Sequence, residues 1–107
     1  MAFTVKQSAP GTSNADLYEV PSDTEAVIST IAVANTTANP VTYRIFIRIG
    51  GAAAAQGTNS LVYDSTVSPN NTSFLTVGVA LAAEDIVTVR ASAADVVFTA
   101  FVNENEV

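Results

Sequence analysis

The sequence predicts an all-β protein: an antiparallel β-sandwich of seven to eight strands, with the jelly roll as one form of that architecture. Three observations predict it. Residues 41–49, Val-Thr-Tyr-Arg-Ile-Phe-Ile-Arg-Ile, alternate almost completely, with Val41, Tyr43, Ile45, Ile47 and Ile49 on one face and Thr42, Arg44, Phe46 and Arg48 on the other. A period of two in β-branched and aromatic residues is the strongest local strand signal. Turn signals recur at the ~8–12-residue spacing of a sandwich or barrel. No segment sustains a 3.6-residue period.

The elements follow in chain order. Residues 1–16 read as an N-terminal arm, in which Phe3 and Val5 suit pairing at a sheet edge before the breaker-rich Ser-Ala-Pro-Gly-Thr-Ser-Asn stretch. The sandwich domain is expected over 17–103. Its first piece, Leu17 to Val20, is stopped by Pro21. Residues 25–34 form the next strand, with Val27, Ser29, Ile31 and Val33 opposed to Ala26, Ile28, Thr30, Ala32 and Ala34. Both faces are small or apolar, which predicts a central strand covered on both sides. After 41–49, the glycine-flanked alanines of 50–59 support no more than a turn of helix, so this stretch reads as a loop. Strands are expected at 60–67, 72–79, 86–91 and 96–102. In the last, Val96, Phe98, Ala100 and Val102 alternate with Val97, Thr99 and Phe101. Pro69-Asn70-Asn71 is a turn with a mechanism, since proline presets φ and asparagine tolerates left-handed backbone. Residues 104–107 read as an acidic tail.

Composition narrows the chemistry. The chain has 107 residues, one domain's length. Hydrophobic residues make up 49% and charged residues 13%, against about 25% charged in ordinary soluble domains. A domain this small has too much surface to hide all of that apolar area, so part of it should meet another chain. There is no cysteine and no histidine, which removes disulfides, thiolate ligands, the usual general base and the commonest metal ligand. A net charge of −6, with Lys6, Arg44, Arg48 and Arg90 the positive residues, argues against binding to nucleic acid or anionic membrane. The N-terminal residues lack a basic region followed by an apolar one, so no signal peptide is expected.

No residue is assigned a catalytic, cofactor or metal role. Glu84 and Asp85 are adjacent and so point oppositely on extended chain, unlike a catalytic carboxylate pair. Asp16, Glu19, Asp23 and Glu25 cluster near the first turn, but no calcium-loop spacing is present, and a solvated rim is the simpler reading. Serines and threonines have no evident activating base. The formal sequons at Asn35, Asn70 and Asn71 equally fit asparagine's role in turns. What remains is surface. Arg44, Phe46 and Arg48 project together from one strand, half of the positive charge beside an aromatic, and with Phe74 they are the interface candidates. Two alternatives stand beside that reading for the strip: a solvated outer face, or pairing of each arginine with a carboxylate on a neighbouring strand. Tyr18, Phe46 and Phe74 also suit a sugar-stacking platform, although the chain has no tryptophan.

Two stretches resemble a family of small virion proteins of tailed bacteriophages. One is Leu17-Tyr18-Glu19-Val20-Pro21 followed by the 24–35 strand ending in Asn35. The other is Leu81-Ala82-Ala83-Glu84-Asp85-Ile86-Val87-Thr88-Val89-Arg90-Ala91-Ser92. Similar proteins share a Tyr-x-Val-Pro start, an arginine-rich third strand and a late Leu-x-x-Gly-Asp turn. Glu84 stands here where they often carry glycine, which leaves the turn type open. The resemblance implies a non-enzymatic virion structural protein, a capsid decoration (cement) protein or a related head- or tail-attached piece. It also implies a homo-oligomer, with a trimer favoured, whose partners are major capsid or tail proteins. The competing expectation is a carbohydrate-binding or receptor-binding β-sandwich module.

Overall fold

A computed structural model describes residues 2–107. Eight strands run β1 (Ala2–Ser8), β2 (Ala15–Glu19), β3 (Thr24–Asn35), β4 (Val41–Arg48), β5 (Ser60–Val67), β6 (Asn71–Leu81), β7 (Ile86–Ala91) and β8 (Val96–Glu106). They form two four-stranded antiparallel sheets, ordered β1-β8-β3-β6 and β2-β7-β4-β5. The pairing β4/β5, β3/β6, β2/β7 and β1/β8 is that of one long antiparallel ribbon with its tip at 49–59, rolled so that β8 also pairs with β3 and β4 with β7. This is jelly-roll connectivity. The stretch read as an arm carries β1, which pairs with β8 at a sheet edge, and the acidic stretch up to Glu106 continues β8 against 24–27.

Six connections cross between the sheets, and five of them turn on one residue in left-handed backbone: Gly11, Asp23, Asn70, Glu84 and Asp95. Asn70 confirms the mechanism expected of that turn. Glu84 adopts the conformation itself, at φ 71°, where glycine would be unstrained. The sixth crossing, between β3 and β4, is held by a side chain. Asn35, 2% exposed, donates its amide to the carbonyls of Asn39, Val67 and Ser68 and accepts from the Thr37 N–H and hydroxyl. So the sequon asparagine at 35 is a structural knot with its nitrogen fully committed.

The core lies between the sheets. Val41, Tyr43 and Ile45 from β4 meet Val96, Phe98 and Ala100 from β8, with Val87 and Val89 alongside. Tyr43 and Phe98 pack edge to face, centroids 6.0 Å apart. The strict alternation expected for β3 fails at one point. Ser29 is an extra residue between the pairs Ile28–Val102 and Thr30–Phe101, so Ile28 and Ile31 both face inward. A similar irregularity at Leu17 lets Leu17 and Tyr18, neighbours in sequence, both be buried. The expected loop at 50–59 contains one turn of 3-10 helix (Ile49–Gly51) and one of α-helix, α1 (Gln56–Asn59). β3 is central in its sheet, as expected, but within this chain only its inner face is fully covered.

Candidate functional site

The structure separates the four interface candidates. Arg44, Phe46 and Arg48 do share the outer face of the β2-β7-β4-β5 sheet, yet they form no open strip. Phe46 is only 4% exposed, beneath the 49–59 connection whose helix α1 contacts β4. Arg48 ties that connection down, donating Nε to the Ala52 carbonyl (2.7 Å) and Nη2 to the Gly51 carbonyl (3.2 Å). Its Nη1 also meets Asp16 at 3.3 Å and the Thr88 hydroxyl at 3.2 Å. Arg44 grips Asp64 with Nε at 2.7 Å and Nη2 at 3.3 Å, and its guanidinium lies 4.2 Å from the centre of the Tyr63 ring. Arg44 is therefore paired with a carboxylate on the neighbouring strand β5, the alternative that the sequence left open, and Arg48 with one on β2, across β7.

Asp64 reaches Arg44 because of its backbone. The β4–β5 register skips it, pairing Tyr43 with Ser65 and Arg44 with Tyr63, and its φ is 56°. The extra residue of a bulge re-aims its side chain. The Arg44 hydrogen bond lowers the Asp64 carboxyl below the ordinary range, and the charges of Arg44 and Arg90 add to it.

Phe74 lies on the opposite outer face, that of β1-β8-β3-β6, and is 69% exposed. It is not alone. Cross-strand rows on this face read Phe3–Asn103–Val27–Ala80, then Val5–Phe101–Thr30–Thr76, then Gln7–Thr99–Ala32–Phe74. None of these twelve positions is charged. Phe3, Val5, Val27, Ser29, Phe101 and Asn103 line a shallow groove of about 690 Å³. Within it the Asn103 side-chain oxygen is buried with no hydrogen-bond donor. Three of the five phenylalanines thus face outward from one sheet. Sequence reasoning missed Phe3 and Phe101 as surface groups, although alternation had already set Phe101 opposite Val96, Phe98 and Ala100.

Of the proposed sugar platform, Tyr18 is buried and donates its hydroxyl to Glu104. Burial, then that hydrogen bond and the Glu104 charge, push the phenol far above its usual pKa. Among the described residues no group of three or more carboxylates is placed to hold a metal ion. Asp85 instead serves the turns, accepting the Gly50 N–H at 2.8 Å and the Ala82 N–H at 2.9 Å.

No protein-family model and no curated protein matches this chain. Solved structures with a similar fold come from a virus particle. A chain of the T13 IBDV viral particle aligns with a TM-score of 0.52 at 9% identity, covering 94% of this chain and 30% of that one. A chain of infectious bursal disease virus, Gx strain, aligns with a TM-score of 0.46 at 9% identity, covering 97% of this chain and 33% of that one. The chain thus spans about a third of the length of the chains it resembles. At such identity the likeness is one of fold: the jelly roll seen here also occurs as part of a chain in a viral particle.

Proposed function

We propose that this protein is a non-enzymatic structural component of a virion, specifically a decoration (cement) protein on the capsid of a tailed bacteriophage, acting as a homo-oligomer. The observation that carries this reading is the block of three uncharged cross-strand rows on the outer face of the β1-β8-β3-β6 sheet. A chain of net charge −6 meets a partner with least repulsion where it bears no charge. Phe3, Val5, Val27 and Phe101 supply dry contact area there. The jelly-roll fold and the two virion-like sequence stretches agree with it. Burial of Tyr18 and Phe46 leaves one of the three aromatics of a sugar platform at the surface, which weighs against the carbohydrate-binding alternative.

The test is location and mass. The protein should co-sediment with purified, nuclease-treated phage particles in high copy, and light scattering of the purified protein should give a discrete oligomer. Absence from the particle, together with a monomer at high micromolar concentration and a saturable hit in a glycan screen, would overturn the reading.

A further inference from the structure

The other outer face carries a polar pocket that the virion reading does not use. Arg44 on β4 and Arg90 on β7 stand directly opposite each other in the ladder. Like charges in that position are destabilising, and this chain has only four basic residues to place. Asp64 hydrogen-bonds Arg44 bidentately and meets Arg90 only through its charge. Among the described residues no hydrogen bond or ion pair holds Arg90. A pocket of about 300 Å³ opens at the pair, lined by Thr12, Thr42, Arg44, Asp64, Arg90 and Ser92. Its walls are fixed by backbone bonds: the Thr42 N–H donates to the Ser92 hydroxyl at 2.9 Å, the Ser92 N–H to the Thr42 carbonyl at 2.9 Å, and the Ala91 N–H to Gly11 at 3.0 Å, which brings the β1–β2 loop over β7.

We propose that this pocket binds one carboxylate group, held by Arg90 with help from Arg44. Two arginines and one aspartate leave a formal charge of +1, which a single carboxylate neutralises. A phosphate dianion would overshoot it beside Asp64. The planar guanidinium of Arg90 has its whole fork available for a bidentate carboxylate contact, and Thr12, Thr42 and Ser92 line the same pocket. The carboxylate comes either from a small free acid or from an acidic side chain of a neighbouring copy, since the chain has ten aspartates and glutamates. The inference stands whether or not the protein is a virion component.

The chain has three arginines, so the Nε–Hε signals of Arg44, Arg48 and Arg90 in labelled protein report the site with Arg48 as internal control. Acetate is titrated at constant ionic strength. Saturable shifts at Arg90 and Arg44 but not Arg48, with the affinity read at Arg44 weakened about tenfold or more in Arg90→Gln, support the site with a free acid as ligand. A concentration-dependent shift at Arg90 and Arg44 with no acid added, the Arg44 shift disappearing in Arg90→Gln, supports a neighbouring copy's side chain. Arg90→Gln should melt at the same temperature as the parent or higher, because it removes a like-charge neighbour. No saturable response in either arm, an equal shift at Arg48, phosphate binding as tightly as acetate, or a large fall in melting temperature for Arg90→Gln each overturns the proposal.

Discussion

At the scale of single residues, backbone conformation decides more than side-chain chemistry. Glu84 is exposed, sits at φ 71°, and keeps its turn through its N–H bond to the Val20 carbonyl at 3.0 Å. Left-handed backbone disfavours any residue with a Cβ by roughly 1–2 kcal/mol, partly offset by glycine's greater freedom when unfolded. Glu84→Gly is therefore expected to stabilise the fold by up to about 1 kcal/mol, read as a higher urea midpoint with unchanged slope. Two other residues set the pH limits. Asp64 has a lowered folded pKa, so its contribution is present above the unfolded value of about 4 and is lost as pH falls through the lower folded one. Tyr18 has a raised folded pKa, so its contribution is complete below about pH 10 and is lost as pH rises through the folded value. Melting curves across pH should show Asp64→Asn flattening only the acid limb and Tyr18→Phe only the alkaline limb. The reverse assignment, or no change in either limb, would contradict these contacts.

At the scale of elements, the tip of the rolled ribbon is tied to β4 by Arg48, while Asp85 holds the Gly50 N–H. The 49–59 connection has only two single turns of helix and no buried residue in either, so it has little intrinsic stability. Arg48 bonds it to β4 through two carbonyls, and Phe46 lies beneath it. Arg48→Ala should release the connection and uncover Phe46 while leaving the eight strands paired. Hydrogen exchange should then rise at 50–59 by tenfold or more, the equivalent of about 1.4 kcal/mol of lost local protection, with little change in β3 or β8. A global rise would mean instead that Arg48 supports the whole sandwich. The orientation of the Arg44-Phe46-Arg48 face was legible in the alternation of 41–49. Its covering was not, because Asp64, Asp16 and the carbonyls of 51 and 52 reach it through strand pairing and a bulge that no local pattern announces.

At the scale of the whole molecule, the two outer faces divide the labour. One is partly roofed by the ribbon tip and holds the Arg44–Asp64 and Arg48–Asp16 pairs beside Arg90. The other is uncharged over three cross-strand rows and carries Phe3, Phe74 and Phe101. Phe3 is 83% exposed and Phe101 40%, so their removal should take little from the isolated chain. If this face is the one that assembles, Phe3→Ser with Phe101→Ser should weaken self-association or particle binding by about 2 kcal/mol or more, with the melting temperature of the unassembled chain nearly unchanged. Oligomer mass by light scattering and binding to stripped particles would read this directly. Undiminished assembly of the double variant would move the interface elsewhere.

The sequence by itself determined the class of fold, the position of nearly every strand and the inward face of most of them. Those depend on local periodicity and on turn residues such as Pro69-Asn70, which act over a few positions. The tertiary structure alone decided strand order, since a ribbon of alternating strands rolls the same way locally whichever sheet each strand joins. It decided that Ile28 and Ile31 share one side, because a single inserted residue at Ser29 reverses the phase of all that follows. And it decided which aromatics reach solvent. Phe46, Phe74 and Phe101 all stand opposite the core in their own strands, and what separates the first from the other two is burial on the sheet face where the connection after β4 turns back against it, a contact between elements that no single strand encodes.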